Sequence, residues 1–206
     1  MGLASVKLVL ATTNTGKLRE MGPMLAGTPF ELVTLAAWPE IAAPEEPGHT
    51  FADNARTKAV YYAVRTGELT VAEDSGLEID ALGGAPGVES ARFGGLQTSY
   101  VEKFELIYRA LEARGALNSQ ARFICALTLA RGTRIIFETC GTIEGQIARP
   151  PRGAGGFGYD PIFFYPPFGC TLAEAGARKA EVSHRAQAFR RLGEFLRRER
   201  TERHDL

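Results

Sequence analysis

Two β-rich runs, Ala121 to Ala130 and Thr133 to Ile143, are separated only by Arg131-Gly132. So short a connection can join strands only as an antiparallel hairpin, and a hairpin this long needs a sheet to lie in. The chain opens differently. Val6 to Ala11 is a short apolar, β-branched run read as a buried strand. Thr12-Thr13-Asn14-Thr15-Gly16 is turn chemistry, and Leu18, Met21 and Leu25 follow at helical spacing. Strand, polar loop, helix is the start of an α/β unit. A βα opening together with a long hairpin predicts an α/β fold whose sheet is mixed and flanked by helices.

Further along, Phe51 to Arg65 reads as a helix with Ala52, Ala55, Ala59 and Ala63 along one side. Asn54 and Lys58, four apart, share its polar side with Asp53. Leu69 to Ala72 and Leu77 to Leu82 read as two short strands. Thr98 to Ala113 has helical periodicity, and Ile162 to Tyr165 reads as a short aromatic strand. Ser183 to Arg200 reads as the last helix, with Ser183 as N-cap. Pro39 to Gly48 and Pro150 to Gly158 read as loops. The tail from Arg190 to Arg203 reads as a solvated helix laced with ion pairs.

The 206 residues suit one domain, 1–206, or two lobes sharing a core. No apolar run approaches the ~18 residues of a membrane helix, and Met1 to Lys7 lacks the pattern of a signal peptide. Cys125, Cys140 and Cys170 stand far apart, which is neither a disulfide framework nor zinc spacing. A reducing cytoplasm is the expected compartment. Basic and acidic residues balance at 24 each, which argues against an electrostatic grip on a nucleic acid polymer.

Four segments carry candidate chemistry. Thr12, Thr13, Asn14, Thr15, Gly16 and Lys17 lie at a helix N-terminus, where free N–H groups favour an anion and Lys17 adds a point charge. A plain turn with a surface lysine would have the same sequence, and a Walker A loop is excluded. Glu45-Glu46, followed by Thr50, Asp53 and Asn54, offers carboxylates for magnesium or an ordinary acidic helix start. Glu73-Asp74-Ser75-Gly76 places two carboxylates at a strand end, where open α/β sheets bind ligands, or forms an Asp-Ser-Gly turn. The fourth runs through Phe157, Gly158, Tyr159 and Asp160 to Lys179, His184 and Arg185. Phe157 between glycines can stack on a base. Cations at the start of a helix oppose its dipole, so His184 and Arg185 are expected to face an anion or a carbonyl oxygen. Arg92 and Phe93 are further candidates for the same site. Together the four describe an enzyme acting on a nucleotide phosphate.

The segments LATTNTGK, EEPGHTFADNARTKA, AEDSGLEIDALGGAPGVESARF, GGFGYDPIFF and TLAEAGARKAEVSHRAQA, in this order, resemble the inosine/xanthosine triphosphate pyrophosphatase family, house-cleaning enzymes for non-standard purine nucleotides. The resemblance runs from Leu10 to about Leu192. It implies an elongated fold of two lobes with a central active-site cleft, as a homodimer. It implies Mg²⁺-dependent hydrolysis of ITP, dITP and XTP between the α and β phosphates. By position, Thr12 to Lys17 would hold phosphates, Glu45 and Asp74 the metal, and Asp74 would accept the proton of the attacking water. Ser75 would touch substrate, and Phe157 to Asp160, Lys179, His184 and Arg185 would build the nucleotide pocket. Pro47, Asp53, Glu73 and Arg178 stand where the family often has Thr, Glu, Asp and Glu. Alternatives are an enzyme for modified pyrimidine triphosphates, or a nucleotide-binding regulator without turnover. Hypoxanthine and xanthine carry a 6-carbonyl, so a pocket offering only donors there rejects adenine. Lys179, His184 and Arg185 are the expected donors.

Overall fold

The structure is a computed structural model that describes residues 6–202, with side chains described as far as Arg198. Met1 to Ser5, and the Arg203 end of the charged tail, lie outside the described residues. Seven strands form one sheet in the order β2-β1-β3-β4-β5-β6-β7. They are β1 (Lys7–Leu10), β2 (Glu31–Thr34), β3 (Leu69–Ile79), β4 (Gln120–Arg131), β5 (Arg134–Ile147), β6 (Phe163–Tyr165) and β7 (Cys170–Thr171). The helices are α1 (Thr15–Met24), α2 (Phe51–Thr66), α3 (Tyr100–Glu112), α4 (Lys179–Val182) and α5 (His184–Glu202).

The sheet is mixed, as the sequence predicts. β1 pairs in parallel with β2 and β3, whereas β5–β6 and β6–β7 are antiparallel. The hairpin is present, and its two loop residues are Gly132-Thr133, one position later than expected. β2 and β7 are additional to the strands that the sequence predicts, and the two short strands expected at Leu69 to Ala72 and Leu77 to Leu82 belong to one strand, β3, which ends at Ile79. β3 runs unbroken through Asp74-Ser75-Gly76, so Glu73 and Asp74 lie inside a strand rather than at a strand end. The glycine there meets a packing need. A Cβ on Gly76 would lie 2.3 Å from Ser90 Oγ and 2.7 Å from Gly87 O. A strand glycine often marks such a close backbone approach.

By internal contacts the chain divides into two compact units. One comprises Met1–Asp74, Cys125–Gly141 and Arg185–Leu206; the other comprises Ser75–Ile124 and Thr142–His184. In the first unit, strand alternation sorts β3 onto two faces. Leu69 and Val71 pack with Met21 and Leu25 from the α1 side and with Phe189, Leu192 and Leu196 of α5. Ala72 packs with Ala59, Tyr62 and Ala63 of α2. Because both faces of β3 are covered, its burial is nearly continuous, as for a central strand.

In the second unit, α3 buries Phe104, Ile107, Tyr108 and Leu111 at i, i+3, i+4 and i+7 spacing. They pack on Leu77, Ile79, Phe123, Ile143 and Phe163. Ser99 starts this helix with a capping box: its hydroxyl accepts from Glu102 N–H, and the Glu102 carboxylate accepts from Ser99 N–H at 2.7 Å. Ser99→Ala removes the first of these bonds and should cost about 1 kcal/mol. That corresponds to a Tm roughly 2–4 °C lower by calorimetry, with turnover unchanged. An unaltered Tm would mean that α3 is held by its apolar face alone.

Candidate active site

The alternation that sorts the core also separates the two neighbouring carboxylates. Glu73 follows Leu69 and Val71 onto the α1/α5 face, and Asp74 follows Ala72 onto the α2 face. Glu73 is 1 % exposed and is met by two cations: Lys17 Nζ at 2.8 Å and Arg185 Nη2 at 3.5 Å. Cys125 Sγ donates to its other oxygen at 3.3 Å. Arg185 in turn holds Glu20 at 2.6 Å. Burial alone would raise the Glu73 pKa. Arg185 and then Lys17 overcome it and hold the carboxyl below its ordinary range. Burial pushes the Cys125 thiol well up, and the Glu73 charge adds to this, so Cys125 is a packed, unreactive thiol.

Asp74 is 7 % exposed. Its Oδ2 accepts from Asn54 Nδ2 at 3.1 Å, and its Oδ1 lies 3.5 Å from Lys58 Nζ. Lys58 also holds Glu46 at 3.0 Å. The net shift of Asp74 is upward: burial raises its pKa more than Lys58, Lys17 and Asn54 lower it. For Lys58 the balance is reversed. Burial lowers the ammonium's pKa, but Asp74, Glu46 and Glu73 together raise it, so the lysine is firmly charged.

The N-terminal loop folds on itself. Thr12 Oγ1 accepts from Asn14 N–H at 3.1 Å, and Asn14 Oδ1 accepts from Gly16 and Lys17 N–H at 2.9 and 3.1 Å. Asn14 is therefore the N-cap of α1. The two N–H groups expected to be free for an anion already have an acceptor, and the Lys17 ammonium lies on Glu73. Thr13, Asn14 and Thr15 are exposed, and Thr12 is half-buried. The Glu45–Asn54 segment divides. Thr50 and Asp53 form the α2 cap, with Thr50 Oγ1 donating to Asp53 at 2.7 Å and accepting from Asp53 N–H at 3.1 Å. Glu46 and Asn54 reach the Asp74 group, and Glu45 is exposed.

In the second unit Asp160 is 2 % exposed and organises its loop. One oxygen accepts from Phe157 N–H at 2.8 Å and from Lys179 Nζ at 2.5 Å. The Lys179 ammonium also lies 5.2 Å from the Phe157 ring centroid, a cation–π contact. Phe157 and Gly158 are half-buried. Tyr159 is core, and its hydroxyl donates to Ser90 O at 2.8 Å. His184 is buried and stacks on Phe123 with ring centroids 4.8 Å apart. Ser75 is half-buried within β3. Arg178 stacks on Phe168 at 3.9 Å, so the altered charge beside Lys179 leaves the Lys179–Asp160 pair intact. Arg92 pairs with Glu89, and Phe93 packs on the core.

The profile of the Ham1 family matches residues 8–195. The chain belongs to the Ham1 family. It is 50 % identical over 186 residues to a dITP/XTP pyrophosphatase of Gloeobacter violaceus, covering 90 % of this chain and 91 % of that one. It is 46 % identical over 193 residues to a dITP/XTP pyrophosphatase of Thermus thermophilus, covering 92 % and 91 %. A solved Ham1 protein of Coxiella burnetii superposes with a TM-score of 0.87 at 38 % identity, covering 94 % of this chain and 99 % of that one.

For this Ham1-family chain the structure adds partners that sequence reasoning did not assign to the site. Glu20 holds Arg185, and Lys58 bridges Glu46 and Asp74. The signal for Lys58 was present: Asn54 and Lys58 are four apart on the polar side of an alanine-rich helix, and both reach Asp74. Nothing local marks Glu20, whose partner lies 165 residues away. Arg185 also differs from the expectation in its neighbour. The anion that it faces at the helix start is the protein's own Glu20 and Glu73.

Proposed function

We propose that the protein hydrolyses the non-standard purine triphosphates ITP, dITP and XTP to the monophosphate and pyrophosphate, keeping them out of DNA and RNA. The observation that carries this reading is the division of labour at Glu73-Asp74. Glu73 is neutralised by Lys17 and Arg185, whereas Asp74 is left with one amide and a lysine it shares with Glu46. The names of the dITP/XTP pyrophosphatase relatives supply the substrate class.

In this reading Asp74 takes the proton of the attacking water as the α–β phosphoanhydride breaks and pyrophosphate leaves. Burial raises its pKa, which makes it a better base near neutral pH. Lys58, charged and fixed, offsets negative charge gathering on phosphate oxygens. In the second unit the Phe157 face and the Lys179 ammonium, with Asp160 holding both, suit a flat base bearing a carbonyl.

The donor set fits Mg²⁺. Two carboxylates, Glu46 and Asp74, already converge on one cationic atom, Lys58 Nζ. Among the described residues no three His, Cys, Asp or Glu side chains converge, and magnesium needs only one or two protein carboxylates beside water and phosphate. Asp74 is proposed to hold it with a carboxylate of the Glu45-Glu46 pair; Glu46 already reaches Asp74 through Lys58, and Glu45 beside it is exposed. When bound, the ion would neutralise and orient the triphosphate. A cytoplasmic homodimer completes the reading. No described helix is long and apolar enough to cross a membrane, and Cys125, Cys140 and Cys170 are free thiols.

Turnover of ITP, XTP, GTP, ATP, dTTP and UTP, with Mg²⁺ and with EDTA, tests the proposal. ITP and XTP should lead in kcat/KM, with ATP roughly ten- to a hundred-fold lower for each mismatched donor. EDTA should abolish turnover and added Mg²⁺ restore it. Preference for dTTP or UTP would make the protein a pyrimidine house-cleaner. Binding without turnover would make it a nucleotide-responsive regulator.

A further inference from the structure

Asn54 is 1 % exposed, and both ends of its amide are used. Its Oδ1 accepts from Gly48 N–H at 2.9 Å, and its Nδ2 donates to Asp74 Oδ2 at 3.1 Å. This pair of partners fixes the amide's direction. A backbone N–H can only donate and a carboxylate can only accept, so a flipped amide would lose both bonds at once. Gly48 fits only because it has no side chain: a Cβ there would lie 2.5 Å from Asn54 Oδ1 and 2.9 Å from Asp53 Cβ. The loop carrying Glu45 and Glu46 therefore reaches Asp74 by two routes, through Gly48 and Asn54 and through Glu46 and Lys58.

We infer that Asn54 is a positioning residue: its amide, oriented by Gly48, sets the angle at which Asp74 presents its carboxylate to the reacting water. The inference rests on the assignment of Asp74 as proton acceptor. Asn54 touches no reacting atom. It occupies one lone-pair direction of Oδ2 and holds the carboxylate plane against α2, leaving the remaining directions for chemistry. A carboxylate free to rotate would lose part of the advantage of a prepositioned base, which misplacement by about 1 Å can cut ~100-fold.

Asn54→Asp separates positioning from simple support. It keeps the shape and the acceptor for Gly48 N–H, removes the donor to Asp74 and sets a second carboxylate beside it, so kcat is compared at the plateau of its pH profile, where the added charge no longer changes the protonation of Asp74. The expected result, normalised to the folded fraction at the assay temperature, is kcat for ITP roughly 10- to 100-fold lower, with KM within a few-fold of wild type. Were Asn54 only a strut for the loop, Asn54→Asp would keep kcat within two- to three-fold, and the inference falls. If Asn54→Asp does not fold, Gly48→Ala carries the test, because it leaves the amide chemistry in place and displaces it. It should lower kcat in the same way, and it should add nothing when combined with Asn54→Ala. Additive losses in the double variant would overturn the relay. Asp74→Asn is assayed beside them. Full activity of Asp74→Asn removes the catalytic reading itself, whereas an inactive Asp74→Asn with an active Asn54→Asp removes only the positioning role.

Discussion

Asp74→Asn should lower kcat for ITP by roughly 10²–10⁴-fold, the usual range for loss of a general base, while nucleotide binding survives. The substitution is isosteric, so the strand and its packing are kept. It removes the charge and the proton-accepting oxygen, and it turns an NH₂ group towards either Asn54 or Lys58, both of which are donors. Its effect on stability should be far smaller than its effect on activity. The folded-state pKa of Asp74 is raised, chiefly by burial. A carboxylate whose pKa rises on folding destabilises the fold when ionised, and protonation at low pH relieves that cost. An amide carries no such cost at pH 7, which offsets the misplaced NH₂ group, and Lys58 keeps Glu46 as its partner, so Tm should stay within a few degrees of wild type. Stability held at the expense of function is common where a site is built on strain or buried charge. Calorimetric titration with ITP and a thermal melt on the same sample check both halves. Activity within a few-fold of wild type would remove Asp74 from the mechanism, and a large fall in Tm would reduce the lost activity to unfolding.

What the sequence disclosed, and what it hid, follows from the range of the forces involved. The first strand, the helix after Asn14, the α3 stripe and the hairpin all rest on periodicity and caps within some fifteen residues, and all are present. Asp-Ser-Gly has turn chemistry locally and reads as a break, whereas Ser90 and Gly87 pack against Gly76, the Ser90 hydroxyl accepts from Leu77 N–H, and β3 runs on. β2 has only four residues, and its partner β1 lies across a helix. The four chemical segments could be picked out by residue type, but not the partners of each charge. Lys17 in a polar loop looks like a phosphate ligand. That its ammonium lies 2.8 Å from Glu73 depends on contacts 56 positions along the chain. His184 and Arg185 are adjacent, yet one stacks on Phe123 and the other is clamped by Glu20 and Glu73. No local pattern separates those fates.

Arg185 is where this matters most for experiment. Its position at a helix start suggests a donor to the base, and a base donor would make Arg185→Met selective, hurting ITP far more than ATP. The geometry favours a different result. The guanidinium is 2 % exposed and holds two carboxylates, Glu20 at 2.6 Å and Glu73 at 3.5 Å. Removing one partner of a buried ion pair typically costs about 3–5 kcal/mol, because the other charge is stranded. For a chain of this size that is a fall in Tm of roughly 6–20 °C. On the folded fraction, ITP and ATP turnover should fall in equal proportion. The pH dependence gives a sharper signature. Glu73 is buried, which raises its pKa, but Arg185 and Lys17 hold it below the ordinary range. A depressed carboxyl contributes stability above its unfolded pKa, about 4.3 for Glu, and loses it as pH falls towards the folded value. Without Arg185 that contribution shrinks at neutral pH and has little left to lose in acid. The Tm gap between wild type and Arg185→Met should therefore be widest near pH 7 and narrow below about pH 4.3. A variant that melts like wild type at every pH but discriminates less between ITP and ATP would put Arg185 on the base after all, and Lys17 would then be the cation that holds Glu73.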